Sequence, residues 1–248
     1  MDTVTFQGVV MPRSMIIGHE STANTSIMNG TMPVTLRCKI VNSQITVECD
    51  LEKYEERYLQ GLWATAWDYA RLVVNLIGFQ SGAGLITIID TIIRPKQKPD
   101  LMRTQLSRLS RQCTAYNLNN TQQIAQILSS GIAIKQAIKD LVESLIIPNN
   151  AVVNCARVMD TLRRVISPSL NEKPGWQQMQ RVLNISQTYL QFITNQSQDP
   201  RHGNYSTPIS DPKLMEVLER SWIVMNRFLE YKKKGDSPLT DPDFPSLV

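Results

Sequence analysis

The chain holds only two histidines, His19 and His202, so acid–base chemistry near neutral pH has few places to sit. His202 stands in Asp199-Pro200-Arg201-His202-Gly203-Asn204. Pro sets φ there and Gly permits φ > 0, which predicts a turn between two helical stretches. Loops set on rigid elements are where function concentrates, and a guanidinium beside an imidazole suits a phosphate. The plainer alternative is a turn whose Arg201 and His202 are solvated. His19, after Ile17 and Gly18, has no partner visible in the sequence. A second constellation is Asn154, Arg157, Asp160 and Arg164. Positions 157, 160 and 164 fall at i, i+3 and i+7, on one side of a helix, while Val152, Cys155, Ala156, Met159, Leu162 and Ile166 take the other. On that spacing Arg157 pairs with Asp160, and Arg164 is left for a phosphate or carboxylate. A solvated helix face explains the pattern as well. The candidate ligand-binding residues are therefore Arg157, Asp160, Arg164, Arg201 and His202. Arg201 and His202 are also the catalytic candidates if the ligand is an RNA. His202 would serve as base or acid at a ribose 2′-OH, with Arg201 on the phosphate.

Other chemistry is less well supplied. Gly78-Phe-Gln-Ser-Gly82-Ala-Gly84 precedes an apparent strand instead of following one, and it lacks the Lys-Ser/Thr of a phosphate-cradling loop. Cys38, Cys49, Cys113 and Cys155 show no CxxC spacing and no neighbouring His, so neither zinc nor a disulfide scaffold is expected. No cofactor motif is present. Trp63 and Trp67 recur at helical spacing with apolar neighbours and read as packing. Lys232, Lys233 and Lys234 complement a helix C-terminus.

The elements that must position these residues form an α+β chain: a short N-terminal antiparallel β unit followed by a mostly helical bundle. Residues 1–50 read as β-rich. Thr3–Val10 and Arg13–Ile17 are strand candidates, and 20–33 is a polar loop. Val34, Leu36, Cys38 and Ile40, then Ile45, Val47 and Cys49, alternate with polar residues around Asn42-Ser43. That is a hairpin, with Arg37 opposite Glu48, Lys39 opposite Thr46, and Cys38 and Cys49 diagonal on the apolar face. Residues 51–116 hold a helix whose first turns carry Glu52, Glu55 and Glu56, and then residues 85–93, helix or strand, read here as a buried strand. Residues 117–234 are the bundle, with helices over about 121–146, 151–166, 175–196 and 211–234, and 235–248 is an extended tail.

Length and composition suit a globular protein: 248 residues, 42% hydrophobic, 19% charged, net charge +4. So mild a basic excess permits nucleic acid without marking a dedicated binder. Residues 72–93 carry one charge, Asp90, and could span a bilayer by length. Asp90 would cost about 2.5–3.5 kcal/mol there, and Ser81-Gly82-Ala83-Gly84 reads as a break, so ordinary core is the favoured reading. No signal peptide is evident, and a cytoplasmic protein is expected.

Three segments, Asn154-Cys155-Ala156-Arg157, Arg201-His202-Gly203-Asn204 and Ser221-Trp-Ile-Val-Met-Asn-Arg-Phe-Leu-Glu-Tyr231, resemble an uncharacterised family of bacterial proteins of similar length. The His-bearing junction between late helices also resembles the HEPN superfamily of helical bundles. Its ribonuclease members place an Arg several positions before the His, whereas here Arg201 adjoins His202. The resemblance thus implies a HEPN-like fold more than cleavage. The expected function is a non-enzymatic binding or regulatory protein for a phosphate-bearing ligand or nucleic acid, with self-association compatible. The alternatives are a metal-independent ribonuclease or nucleotidyl-type enzyme, and a membrane-associated protein using residues 72–93.

Overall fold

The structure is a computed structural model. It describes residues 1–12, 16–27, 30–101, 109, 121–129, 131–146, 150–168, 171–201 and 211–248. Two compact units divide the chain, Met1–Arg103 and Thr104–Val248.

In the first unit, β1 (Asp2–Met11), β2 (His19–Ile27), β3 (Met32–Val41), β4 (Gln44–Leu51), β5 (Ile86–Ile93) and β6 (Asp100–Leu101) form one sheet. Its order is β2-β3-β4-β1-β5-β6, and every pairing is antiparallel. The β3–β4 register is the one the alternation predicts: Arg37 opposite Glu48, Lys39 opposite Thr46, Cys38 opposite Val47, Leu36 opposite Cys49. Asn42 and Ser43 both take positive φ, as a two-residue hairpin of matching twist demands. Ser43 is held there by its neighbours. Its N–H donates to the Ile17 carbonyl and its own carbonyl accepts from Val10 N–H.

The polar stretch expected as a loop over 20–33 is mostly strand β2, paired with β3 from His19 opposite Ile40 to Ile27 opposite Met32. As the end strand of the sheet it needs no apolar alternation, which is why the period-2 signal misses it. Of the Arg13–Ile17 candidate, residues 13–15 lie outside the described residues, and Ile16 and Ile17 are not in a strand.

Helix α1 (Leu59–Ser81) buries Leu62, Trp63, Ala66, Trp67, Ala70, Val73 and Val74, and Val4, Phe6, Leu36, Ile40 and Val47 of the sheet are likewise buried. The three glutamates expected in its first turns precede it. A 3₁₀ turn, Glu56–Tyr58, comes first, and Glu56 pairs with Arg94 instead. α1 ends at Gly82 (φ 66), whose N–H caps the last carbonyls. This turn divides the apolar run 72–93 between α1 and strand β5, so that run is no single span. Among the described residues no helix is long and apolar enough to cross a membrane. Gly8 lets β5 approach at the register shift between Gln7 and Gly8: a Cβ there would lie 1.8 Å from the Ile88 carbonyl oxygen.

The second unit is helical: α2 (Thr121–Ser129), α3 (Ile132–Ile146), α4 (Ala151–Ile166), α5 (Glu172–Leu183), α6 (Gln187–Asn195), α7 (Gln198–Arg201) and α8 (Asp211–Lys233). α4 runs through the core, where Val152, Cys155, Val158, Met159 and Leu162 meet Met179, Leu183, Ile193, Val217, Val224 and Phe228. The helix expected over 121–146 is split, as α2 and α3. That over 175–196 is split at Asn184, which takes φ 52 as a left-handed cap, and Ser186 opens α6 by accepting from Tyr189 N–H. The tail is anchored. Leu239 is 1% exposed and its N–H donates to the Val182 carbonyl, while Leu247 exchanges backbone bonds with Asn184 and Ser186.

Candidate functional site

The polar side of α4 receives partners from two other helices. Asp160 Oδ2 accepts from Arg201 Nη2 at 3.0 Å, which joins α4 to α7 across 41 positions of sequence. Arg157 does not take Asp160, as the i, i+3 spacing predicted. Its Nε lies 3.5 Å from Asp140 Oδ2 of α3. Asp140 is 2% exposed and also accepts from Gln136 Nε2 at 2.7 Å. A buried carboxylate attracts a nearby guanidinium more strongly than a half-exposed one does, because water screens it less. Arg164, one turn beyond Asp160, is exposed and has no ion pair among the described residues. Arg157, Arg164 and Arg201 thus present three guanidinium groups to two carboxylates. Asn154 is 5% exposed and belongs to the interior. His202 lies outside the described residues.

Cys155 is buried in the same helix, and burial pushes its thiol up to about 11. A thiol so placed is packing, not a nucleophile. Cys38 and Cys49 are pushed by burial to about 11 and about 12. Among the described residues no group of three His, Cys, Asp or Glu is placed to hold a metal ion.

Two interior arginines escaped the sequence reading. Arg163 is 2% exposed, with its guanidinium 5.4 Å from the centre of the Trp176 ring and Nη2 3.8 Å from Glu172. Helical phase could have found it, because it follows Met159 by four positions and Ala156 by seven, both on the apolar side. Arg227 is 3% exposed. Its Nη1 donates to the carbonyls of Leu183 and Asn184 at 2.9 Å, and its Nη2 to that of Pro245. It therefore caps the C-terminal end of α5 and ties the tail to it. No periodicity announces that role.

No curated protein matches the chain, and no solved structure does. A family model described as the N-terminal domain of a domain of unknown function, DUF8168, matches residues 4–102. The C-terminal domain model of the same family matches residues 120–233. The interval between the two matches contains the division between the compact units. Since the two matches together take in most of its length, the chain belongs to the DUF8168 family.

Proposed function

We propose that this protein is a binding or regulatory protein whose helical unit takes a phosphate-bearing ligand on the polar side of α4. The Asp160–Arg201 pair carries the reading, since it brings a third arginine to the helix that already bears Arg157 and Arg164. Both members are about one-third exposed, so an incoming phosphate can compete with Asp160 for the guanidinium. The cytoplasm is the expected compartment, and the free thiols of Cys38, Cys49 and Cys155 support it. The HEPN-like nuclease is the second reading. Its support is the helical bundle ahead of Arg201, with His202 next in the chain.

The test is a titration of inorganic phosphate and of a short labelled RNA. Arg201→Ala should weaken both about tenfold, as the loss of one charge-assisted hydrogen bond of roughly 1.5–3 kcal/mol implies. Asp160→Asn should strengthen both by releasing Arg201, and added salt should weaken them. Equal affinity across the three proteins, or none in any, would reject the site. Shortening of the RNA without added metal would favour the nuclease.

A further inference from the structure

A groove of about 460 Å³ runs between α5 and α6, which only residues 184–186 separate. Beside the charged Glu172 and Lys173, carboxamides make up half of its lining: Gln177 and Gln180 from α5, and Gln187, Gln191 and Asn195 from α6. The last three are spaced i, i+4 and i+8, so they stand in a row on one helix face. Each amide offers two N–H donors and an acceptor oxygen without charge. Trp176 joins the wall, half-buried.

The Trp176 ring is held from the protein side. Arg163, whose side chain is 3% exposed and which does not line the groove, sets its guanidinium 5.4 Å from the ring centre. Gly175 leaves the room for this, since a Cβ there would come within 3.3 Å of Arg163 Cγ and Nη1. A buried cation–π contact of this kind restrains the indole. Asp160 and Arg163 are three positions apart on α4, one turn. Arg163 reaches the ring from the buried side of the helix and Asp160 takes Arg201 on its polar side.

A fixed aromatic with planar amides around it matches a flat heterocycle with donors and acceptors on its edge. Amide side chains read such edges in bidentate fashion, and an aromatic ring offers a base a face to stack on. We infer that the α5–α6 groove is a base-binding site for single-stranded nucleic acid, with the base against Trp176 and its edge on the Gln187–Gln191 row. The position of its phosphate beside Arg201 rests on the reading given under Proposed function.

The experiment uses the full chain and three probes: a labelled RNA hexamer, adenosine, and inorganic phosphate. The variants are Gln187→Ala/Gln191→Ala, both exposed positions, Trp176→Phe, and Arg201→Ala. Wild type should bind all three probes. The double glutamine variant should lose at least tenfold in affinity for the hexamer and for adenosine, with unchanged circular dichroism and unchanged phosphate affinity. Trp176→Phe should retain most of the binding, because a phenyl ring still stacks. If the double variant binds the hexamer as wild type does, or adenosine fails to bind while phosphate binds, the base site is overturned and the phosphate reading stands. Adenosine binding without phosphate binding supports the groove and overturns the phosphate reading. Silence from all three probes overturns both.

Discussion

Arg227 shows what a single buried charge can do when each of its partners is a backbone carbonyl. Its fork donates to the oxygens of Leu183, Asn184 and Pro245, at the end of a helix and in a returning tail, and Asn184 takes Leu247 N–H as a second donor. Arg227→Met keeps much of the volume and removes every donor. An unfolding free energy lower by about 2–4 kcal/mol is expected, measured by urea denaturation with an unchanged slope. Arg227→Lys should recover only part of the loss, because one ammonium cannot reproduce the fork. Residues of this sort are hard to read in a sequence: Arg227 sits among Val224, Met225, Phe228 and Leu229, where only its phase betrays burial. Arg157, Asp160 and Arg164 were easier, since i, i+3, i+7 spacing puts them on one face. The partners of Arg157 and Asp160 were not legible, because Asp140 and Arg201 come from other helices.

Between elements, a small network joins the segment before α1 to the β5–β6 turn. Arg94 Nη2 donates to Glu56 Oε1 at 3.1 Å, and the Tyr54 hydroxyl donates to Glu56 Oε2 at 2.7 Å. Arg94, and after it Tyr54, holds the Glu56 carboxyl below its ordinary range, while burial and then Glu56 push Tyr54 up to about 12. The two shifts act on opposite limbs of the stability curve. A depressed carboxyl contributes above its unfolded value, near 4.5, and that contribution is lost as pH falls through the folded value. A raised phenol contributes below its unfolded value, near 10, and the contribution is lost as pH climbs toward 12. Glu56→Gln should therefore soften the acid limb, and Tyr54→Phe the alkaline one, in thermal melts from pH 3 to 11. Both contributions are fully present at pH 7, so each change should lower the midpoint there and flatten its own limb. Element boundaries were legible where polar residues interrupt a strong pattern, as Asn42-Ser43 does between β3 and β4. They were not legible at Asn184, which ends a helix in the middle of apolar periodicity, nor in β2, whose place at the sheet edge relieves it of any pattern.

Across the whole molecule, each unit has its own core: the sheet with α1 in one, α4 and its neighbours in the other. The α+β order was legible from the change of period along the chain, from two to three-four. Residues 235–248, read as an extended tail, also contribute to the second core through Leu239, with Phe244 and Leu247 packed against it. Deleting 235–248 should leave the first unit intact and strip the second of its cooperative unfolding. Hydrogen exchange by mass spectrometry would check this, and equal protection of α5 and α6 in both proteins would contradict it.

The same strap has a consequence for synthesis. Ribosomes deliver the chain from its N-terminus, and domains commonly fold as they emerge. The sheet and α1 can close while the helices are still being made. The end of α5, by contrast, waits for Arg227 and then for Pro245 and Leu247, which are made about sixty residues after it. Translation must run to the end of this segment before the bundle can lock.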